Sequence, residues 1–183
     1  TVPACQRTRP RNEDHRPDSP AFAADASPRN PIQRRMNINV TIVEDERAIR
    51  ENLAALINGT DGLHCLGAYR TEKGALEQIP PNPPDVLLID LNLPRLSGVE
   101  CVRLLRQRLP NLKIVVLTKY EDADHIFRAL KAGANGYLLK KRPPLELIQA
   151  LIDVHRGHAP MSSEVAVRVV AYFHEQGGRS LEI

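Results

Sequence analysis

Long hydrophobic runs are missing from this chain of 183 residues. No stretch approaches the roughly 18 apolar residues that a membrane-crossing helix needs, and the N-terminus lacks the apolar core of a secretory signal. The expectation is a cytoplasmic protein with no membrane partner. Cysteine is also scarce. Cys5, Cys65 and Cys101 are an odd number without the spacing of a metal or redox pair, which argues against a disulfide framework and fits a reducing compartment. Cys65 and Cys101 lie in apolar surroundings and read as small core residues. Charge of one sign is equally short. The net charge is +3, and residues 1–35, with seven arginines and four acids, carry all of it. The remainder sums to zero, so its totals give no sign of the basic face that a nucleic-acid reader usually presents. The histidines form no metal pattern either, since Gly157 separates His155 from His158.

Two kinds of segment are present. Residues 1–36 hold Pro3, Pro10, Pro17, Pro20, Pro28 and Pro31 with few large apolar groups. Such a segment buries too little surface to offset its ordering entropy, and a disordered Pro/Arg-rich tail is expected. Met36 stands just before the first strand, so the tail could lie upstream of the natural start. From residue 37 strand and helix signals alternate. Strands are expected at 37–43 (NINVTIV), 63–69, 85–90 (DVLLID), 113–118 (KIVVLT) and 136–139, and helices at 47–58, 71–79, from Ser97 to Pro110, 122–132 and 143–156. Ser97-Gly98-Val99-Glu100 matches a capping box, and Gly133 is the expected C-cap of the fourth helix. Val165, Val169, Tyr172 and Phe173 fall on one stripe of a further helix. The simplest account is packing on this domain or on a partner.

Five strands alternating with five helices imply an α/β fold, a doubly wound parallel sheet. Sites in such sheets form beyond the carboxyl ends of the strands, where strand order reverses. Those ends carry Glu44 and Asp45, then Asp90, Thr118 and Lys140. Carboxylates gathered at one edge repel each other and call for a cation. Mg²⁺ (or Mn²⁺) suits such a site, as a hard ion that takes oxygen ligands and keeps waters. Asp90 is then placed as a nucleophile toward a phosphoryl group. Lys140 supplies a mobile point charge, and Thr118 a hydroxyl donor. By itself Glu44-Asp45 is an ordinary helix-start charge arrangement. The neighbouring strand ends make it a site.

The segments Val43-Glu44-Asp45, Leu88-Ile89-Asp90-Leu91-Asn92-Leu93-Pro94, Leu117-Thr118 and Gly136-Tyr137-Leu138-Leu139-Lys140 resemble the receiver-domain motifs of two-component response regulators. The resemblance covers residues 37–157, and the stretch from Lys119 to Ala171 is similar to receivers of the NarL/FixJ (LuxR-type) family. It implies a flavodoxin-like sheet of order 2-1-3-4-5 with five helices, followed by a linker helix at 158–183 that leads toward a helix-turn-helix domain absent from this chain. It also implies a role for each site residue. Asp90 is the phosphorylated aspartate. Asp45, Asp90 and the main-chain carbonyl of Asn92 are metal ligands, with Glu44 acting through water. Thr118 and Lys140 contact the phosphate, Tyr137 is the aromatic switch residue, and Asn92 and Tyr120 tune dephosphorylation. The implied partners are a sensor histidine kinase, a second copy of the chain after phosphorylation, and DNA only through the absent domain.

One position departs from the family pattern. Lys141 stands where many receivers carry a proline after a cis bond, and a cis bond without proline costs about 3 kcal/mol. Two other classes compete. A haloacid-dehalogenase phosphohydrolase also uses an aspartate nucleophile with Mg²⁺, but it places a second aspartate two residues on, where this chain has Asn92. A stand-alone receiver acting through protein–protein contact is the alternative signalling role. The chain is expected to be a phosphoacceptor that assists its own phosphorylation and dephosphorylation rather than an enzyme with turnover.

Overall fold

The structure is a computed structural model that describes residues 37–94 and 96–178, with side chains described as far as His174. The expected tail at 1–36 lies outside the described residues. Eleven elements follow one another along the described chain: β1 Ile38–Val43, α1 Arg47–Asn58, β2 Leu63–Tyr69, α2 Glu72–Gln78, β3 Val86–Ile89, α3 Gly98–Arg108, β4 Lys113–Thr118, α4 Ala123–Ala132, β5 Gly136–Leu139, α5 Pro144–His155 and α6 Ser163–Gly178. All strand pairs are parallel and the order is β2-β1-β3-β4-β5. The expected flavodoxin-like sheet is therefore the one observed, with six helices around it.

Strands β1, β3, β4 and β5 are buried on both faces, while β2 at the edge is only partly buried, and alternate residues feed two separate cores. Leu87 and Ile89 of β3, Ile114 and Val116 of β4, and Tyr137 and Leu139 of β5 point to a face covered by α2, α3, α4 and α6. Ile38, Val40 and Ile42 of β1, Val86 and Leu88 of β3, and Val115 and Leu117 of β4 point to the opposite face, covered by α1 and α5. This period of two inside continuous apolar runs is what a parallel sheet sandwiched by helices requires. Each fully buried Leu or Ile contributes about 1.5–3 kcal/mol. Cys101 belongs to the first core. Cys65, on the edge strand β2, is only half-buried, its thiol 3.6 Å from the Gly67 carbonyl, and packs against the border of the second core rather than inside it.

Local signals behaved unevenly. Asp122 caps α4 by accepting the His125 N–H at 3.1 Å, and Gly133 closes it at φ 110°, a left-handed conformation that suits glycine. The capping box at α3 does not close. Ser97 Oγ accepts the Val99 N–H at 3.3 Å, and the Glu100 carboxylate turns outward to Arg103. A guanidinium one turn on outcompetes the Ser97 N–H for that carboxylate.

Residues 160–162 lengthen the sheet beyond β5. Tyr137 N–H donates to the Pro160 carbonyl at 2.9 Å, Ser162 N–H to the Tyr137 carbonyl at 3.1 Å, and Leu139 N–H to Ser162 Oγ at 3.1 Å. The outer edge of β5 is thereby paired rather than left open. Helix α6 then crosses α4. Val165 is fully buried, Val169 packs on the core, and the Tyr172 ring stacks on Phe127 with centroids 3.7 Å apart. Phe173 is 63% exposed and touches Phe127 only at its edge, so the expected stripe turns into solvent at its last residue. No helix among the described residues is long and apolar enough to cross a membrane.

Candidate phosphoacceptor site

Strand order reverses between β1 and β3. The chain leaves β1 for β2 on one side and returns to β3 on the other. Val43 is level with Ile89 in the register, so the residues just past each strand meet. Backbone hydrogen bonds continue the ladder beyond the strand ends and hold those residues. Glu44 N–H donates to the Tyr69 carbonyl at 3.0 Å, Asp90 N–H to Val43 at 2.9 Å, and Lys140 N–H to Thr118 at 2.9 Å. The geometry follows from the backbone before any side chain acts.

Glu44, Asp45 and Asp90 each bring a carboxylate oxygen within 4.8 Å of the others. Glu44 and Asp90 are buried and Asp45 is partly so. Lys140 Nζ lies 2.7 Å from Glu44 Oε2 and 2.7 Å from Asp90 Oδ2. Burial pushes the Glu44 carboxyl up, and the nearby Lys140 ammonium only partly opposes this. Burial would also pull the Lys140 ammonium down, but its hydrogen bonds to Asp90 and Glu44 prevail and it titrates above the ordinary lysine value. The Asp90 Oδ1 atom is buried with no hydrogen-bond donor. An acceptor in that position is costly unless something positive or electrophilic meets it. Together with the all-oxygen character of the cluster, it fits a hard divalent cation.

Thr118 is fully buried at the end of β4, with Oγ1 3.5 Å from the Tyr120 amide. Tyr137 is also fully buried, and its hydroxyl donates to the Tyr120 carbonyl at 2.8 Å. Burial, reinforced by Asp122 and Asp90, pushes that phenol well above its ordinary value, so it stays protonated and donates. Asn92 is exposed in the β3–α3 loop, and its Oδ1 accepts the Tyr120 hydroxyl at 3.2 Å. Thus Glu44, Asp45, Asp90 and Lys140 come together in one cluster, while Asn92, Thr118, Tyr120 and Tyr137 link the loops around it. The peptide bonds of the described residues are all trans. Lys141 reaches Glu121 at 3.1 Å and Glu164 at 3.8 Å.

Four residues of the site's surroundings were not legible in the motifs. Arg50 of α1 donates to the carbonyls of Glu44 at 2.8 Å and Asp45 at 3.2 Å, and so fixes the main chain of the acidic pair. Glu72, buried at the start of α2, accepts the Leu96 N–H at 2.8 Å and ties down the β3–α3 loop. Gly98 approaches the Asp90 backbone, and His125 stacks on Tyr120. Arg50 carried a faint signal, one turn past the acidic pair. Glu72 carried none, because its partner is 24 residues away.

A family profile described as the response regulator receiver domain matches residues 40–152. Transcriptional regulatory protein YxjL of Bacillus subtilis (strain 168) is 33% identical over 73% of this chain and 62% of its own length. DNA-binding transcriptional activator DevR/DosR of Mycobacterium tuberculosis is 31% identical over 73% and 62%. The chain thus spans about three fifths of the length of such curated relatives. Among solved structures, a LuxR-family two-component response regulator from Aurantimonas sp. SI85-9A1 superposes with a TM-score of 0.71 at 27% identity, covering 74% of this chain and 97% of that one. The chain belongs to the response regulator receiver domain family of two-component signalling, and the relatives it matches are transcriptional regulators.

Proposed function

We propose that Asp90 is the phosphoacceptor of a signalling switch, charged by the phosphohistidine of a sensor kinase or by a small donor such as acetyl phosphate. The observation that carries this reading is the Asp90 side chain itself. One carboxylate oxygen is held by Lys140 at 2.7 Å, and the other is buried without a donor beside two further carboxylates. Glu72 Oε2 is likewise buried without a donor, so it is the two neighbouring carboxylates that single out Asp90.

Asp45, Asp90 and the Asn92 main-chain carbonyl would hold Mg²⁺ or Mn²⁺, with Glu44 acting through water. When bound, the cation neutralises charge on the phosphoryl oxygens. A carboxylate oxygen of Asp90 attacks phosphorus, the bond from phosphorus to the donor nitrogen or oxygen breaks, and its electron pair leaves with the donor. The product is an acyl phosphate. Lys140, already bound to Asp90, stabilises the added negative charge. Thr118 and Tyr137 relay the change through the β4–α4 loop, where Tyr137 already bonds to the Tyr120 carbonyl. Moving a population from 1:99 to 99:1 needs about 5.5 kcal/mol, and one charged hydrogen bond contributes about 1.5–3 kcal/mol. Thr118, Lys140 and dimerisation therefore act together. The output is control of a DNA-binding transcriptional domain of the kind named in the relatives, in the cytoplasm. The chain is an acceptor rather than an enzyme with turnover.

Incubation with acetyl phosphate and Mg²⁺ tests the cation's part. One phosphoryl adduct is expected by intact mass, none is expected with chelator present, and Asp45→Asn should slow its formation by about 100-fold, as the loss of several kcal/mol of charge stabilisation implies. Labelling at the same rate with and without chelator contradicts the metal assignment.

A further inference from the structure

Tyr120 is held from three sides. Its hydroxyl donates to Asn92 Oδ1 at 3.2 Å, which spans the two loops flanking Asp90. Its carbonyl accepts the Tyr137 hydroxyl at 2.8 Å. Its ring lies flat on the His125 imidazole, with centroids 4.3 Å apart and 8° between planes. His125 also contacts the start of α4. Its Nδ1 lies 2.8 Å from both carboxylate oxygens of Asp122, the residue that caps α4. The first turn of α4 therefore supports the ring that bridges the site's loops.

We propose that His125 is a positioning residue which, by stacking on Tyr120, holds that ring across the loops around Asp90 and so lengthens the life of the acyl phosphate. The inference rests on the phosphoacceptor reading above. In hydrolysis a water oxygen attacks phosphorus, the bond from phosphorus to the Asp90 oxygen breaks, the carboxylate is restored and the water's protons pass to phosphate and solvent. On this proposal water's approach to the phosphorus passes the Tyr120 ring, whose hydroxyl is tied to Asn92, two residues past Asp90. The Asn92 bond alone is a poor restraint, since it is exposed and competes with water. Stacking on the His125 imidazole adds a second contact that limits the ring. Because the support comes from α4, a shift of that helix would alter the lifetime of the phosphoryl group as well as the outer surface.

The test uses the full chain, labelled with acetyl phosphate and Mg²⁺ and freed of donor, with decay followed by intact mass. His125→Ala and Tyr120→Ala should each speed decay by about 3- to 10-fold, the range that loss of one aromatic pair supports. The double variant should decay no faster than Tyr120→Ala. His125→Phe, which keeps a ring but loses the Asp122 bond, should return decay to within about twofold of the parent. Unchanged label uptake and melting temperature in His125→Ala would show that the fold is intact. If His125→Ala decays like the parent while Tyr120→Ala decays fast, or if Phe does not rescue, the positioning role is overturned and the phosphoacceptor reading stands. If the parent itself takes no label, both are overturned.

Discussion

Replacing Lys140 by Met will lower the unfolding free energy by about 3 kcal/mol at neutral pH, and the deficit will shrink as the pH falls. Lys140 bonds two buried carboxylates at 2.7 Å each. Removing one partner of a buried pair strands the other, at a typical cost of about 3–5 kcal/mol. The lower end applies because the Lys140 side chain keeps 20% of its surface exposed. The pH dependence follows from Glu44, whose carboxyl burial already pushes up against the pull of Lys140. A raised folded value means that the folded state holds its proton more tightly than the unfolded one, so stability falls as pH rises from the ordinary carboxylate range through the raised value. Without Lys140 that window moves further up, and the cost is largest at neutral pH. In the parent, the raised Lys140 value adds stability that is present below the ordinary lysine range and is lost only as pH climbs through the raised value. Urea unfolding at mildly acidic and neutral pH measures the Glu44 effect, and unfolding at alkaline pH the Lys140 effect. Added Mg²⁺ should recover part of the loss by binding the folded state alone. An unchanged urea midpoint at neutral pH contradicts this account of the cluster.

Gly98→Ala will cost about 2–3 kcal/mol and slow phosphorylation as well. A Cβ at Gly98 would lie 2.4 Å from the Asp90 carbonyl oxygen and 2.5 Å from the Leu91 Cα. Both obstacles are backbone, so no side chain can swing away, and overpacking of this kind costs about 1–3 kcal/mol. The Gly98 N–H also donates to the Leu91 carbonyl at 3.1 Å. Helix α3 therefore starts directly against the residue that carries the chemistry, and moving one moves the other. Thermal or urea unfolding beside the initial rate of acetyl phosphate labelling reads both losses. Parental stability, or lower stability with parental labelling, contradicts the coupling.

The contrast between these two positions shows what a sequence can carry. Lys140, Asp90, Glu44 and Asp45 stand at the ends of strands marked by continuous apolar runs, and parallel pairing brings strand ends together without further information. The alternation of Leu87, Ile89, Ile114 and Val116 against Val86, Leu88 and Val115 likewise follows from period two. Gly98 reads locally as one residue of a capping box. Its real constraint is a backbone eight residues earlier, which no periodicity encodes. Glu72 was hidden because its partner Leu96 lies 24 residues on, whereas His125 stacks on Tyr120 only five residues back, a pairing that no motif marks. The capping box misled because a pattern match cannot weigh Arg103 as a rival for Glu100. At the far end, the stripe through Val165 and Val169 marked a packed helix without saying on what, and only the structure shows Tyr172 stacked on Phe127 of α4 with Phe173 left 63% exposed.

The central claim is that the phosphoryl group becomes an acyl phosphate on Asp90, and reductive trapping tests it most directly. Borohydride reduces an acyl phosphate of aspartate to homoserine, and peptide mapping then locates the change in the chain. After labelling with acetyl phosphate and Mg²⁺, homoserine at position 90 and at no other aspartate is the predicted result. Homoserine elsewhere, or a stable phosphate on a histidine, serine or threonine with position 90 intact, would contradict the account.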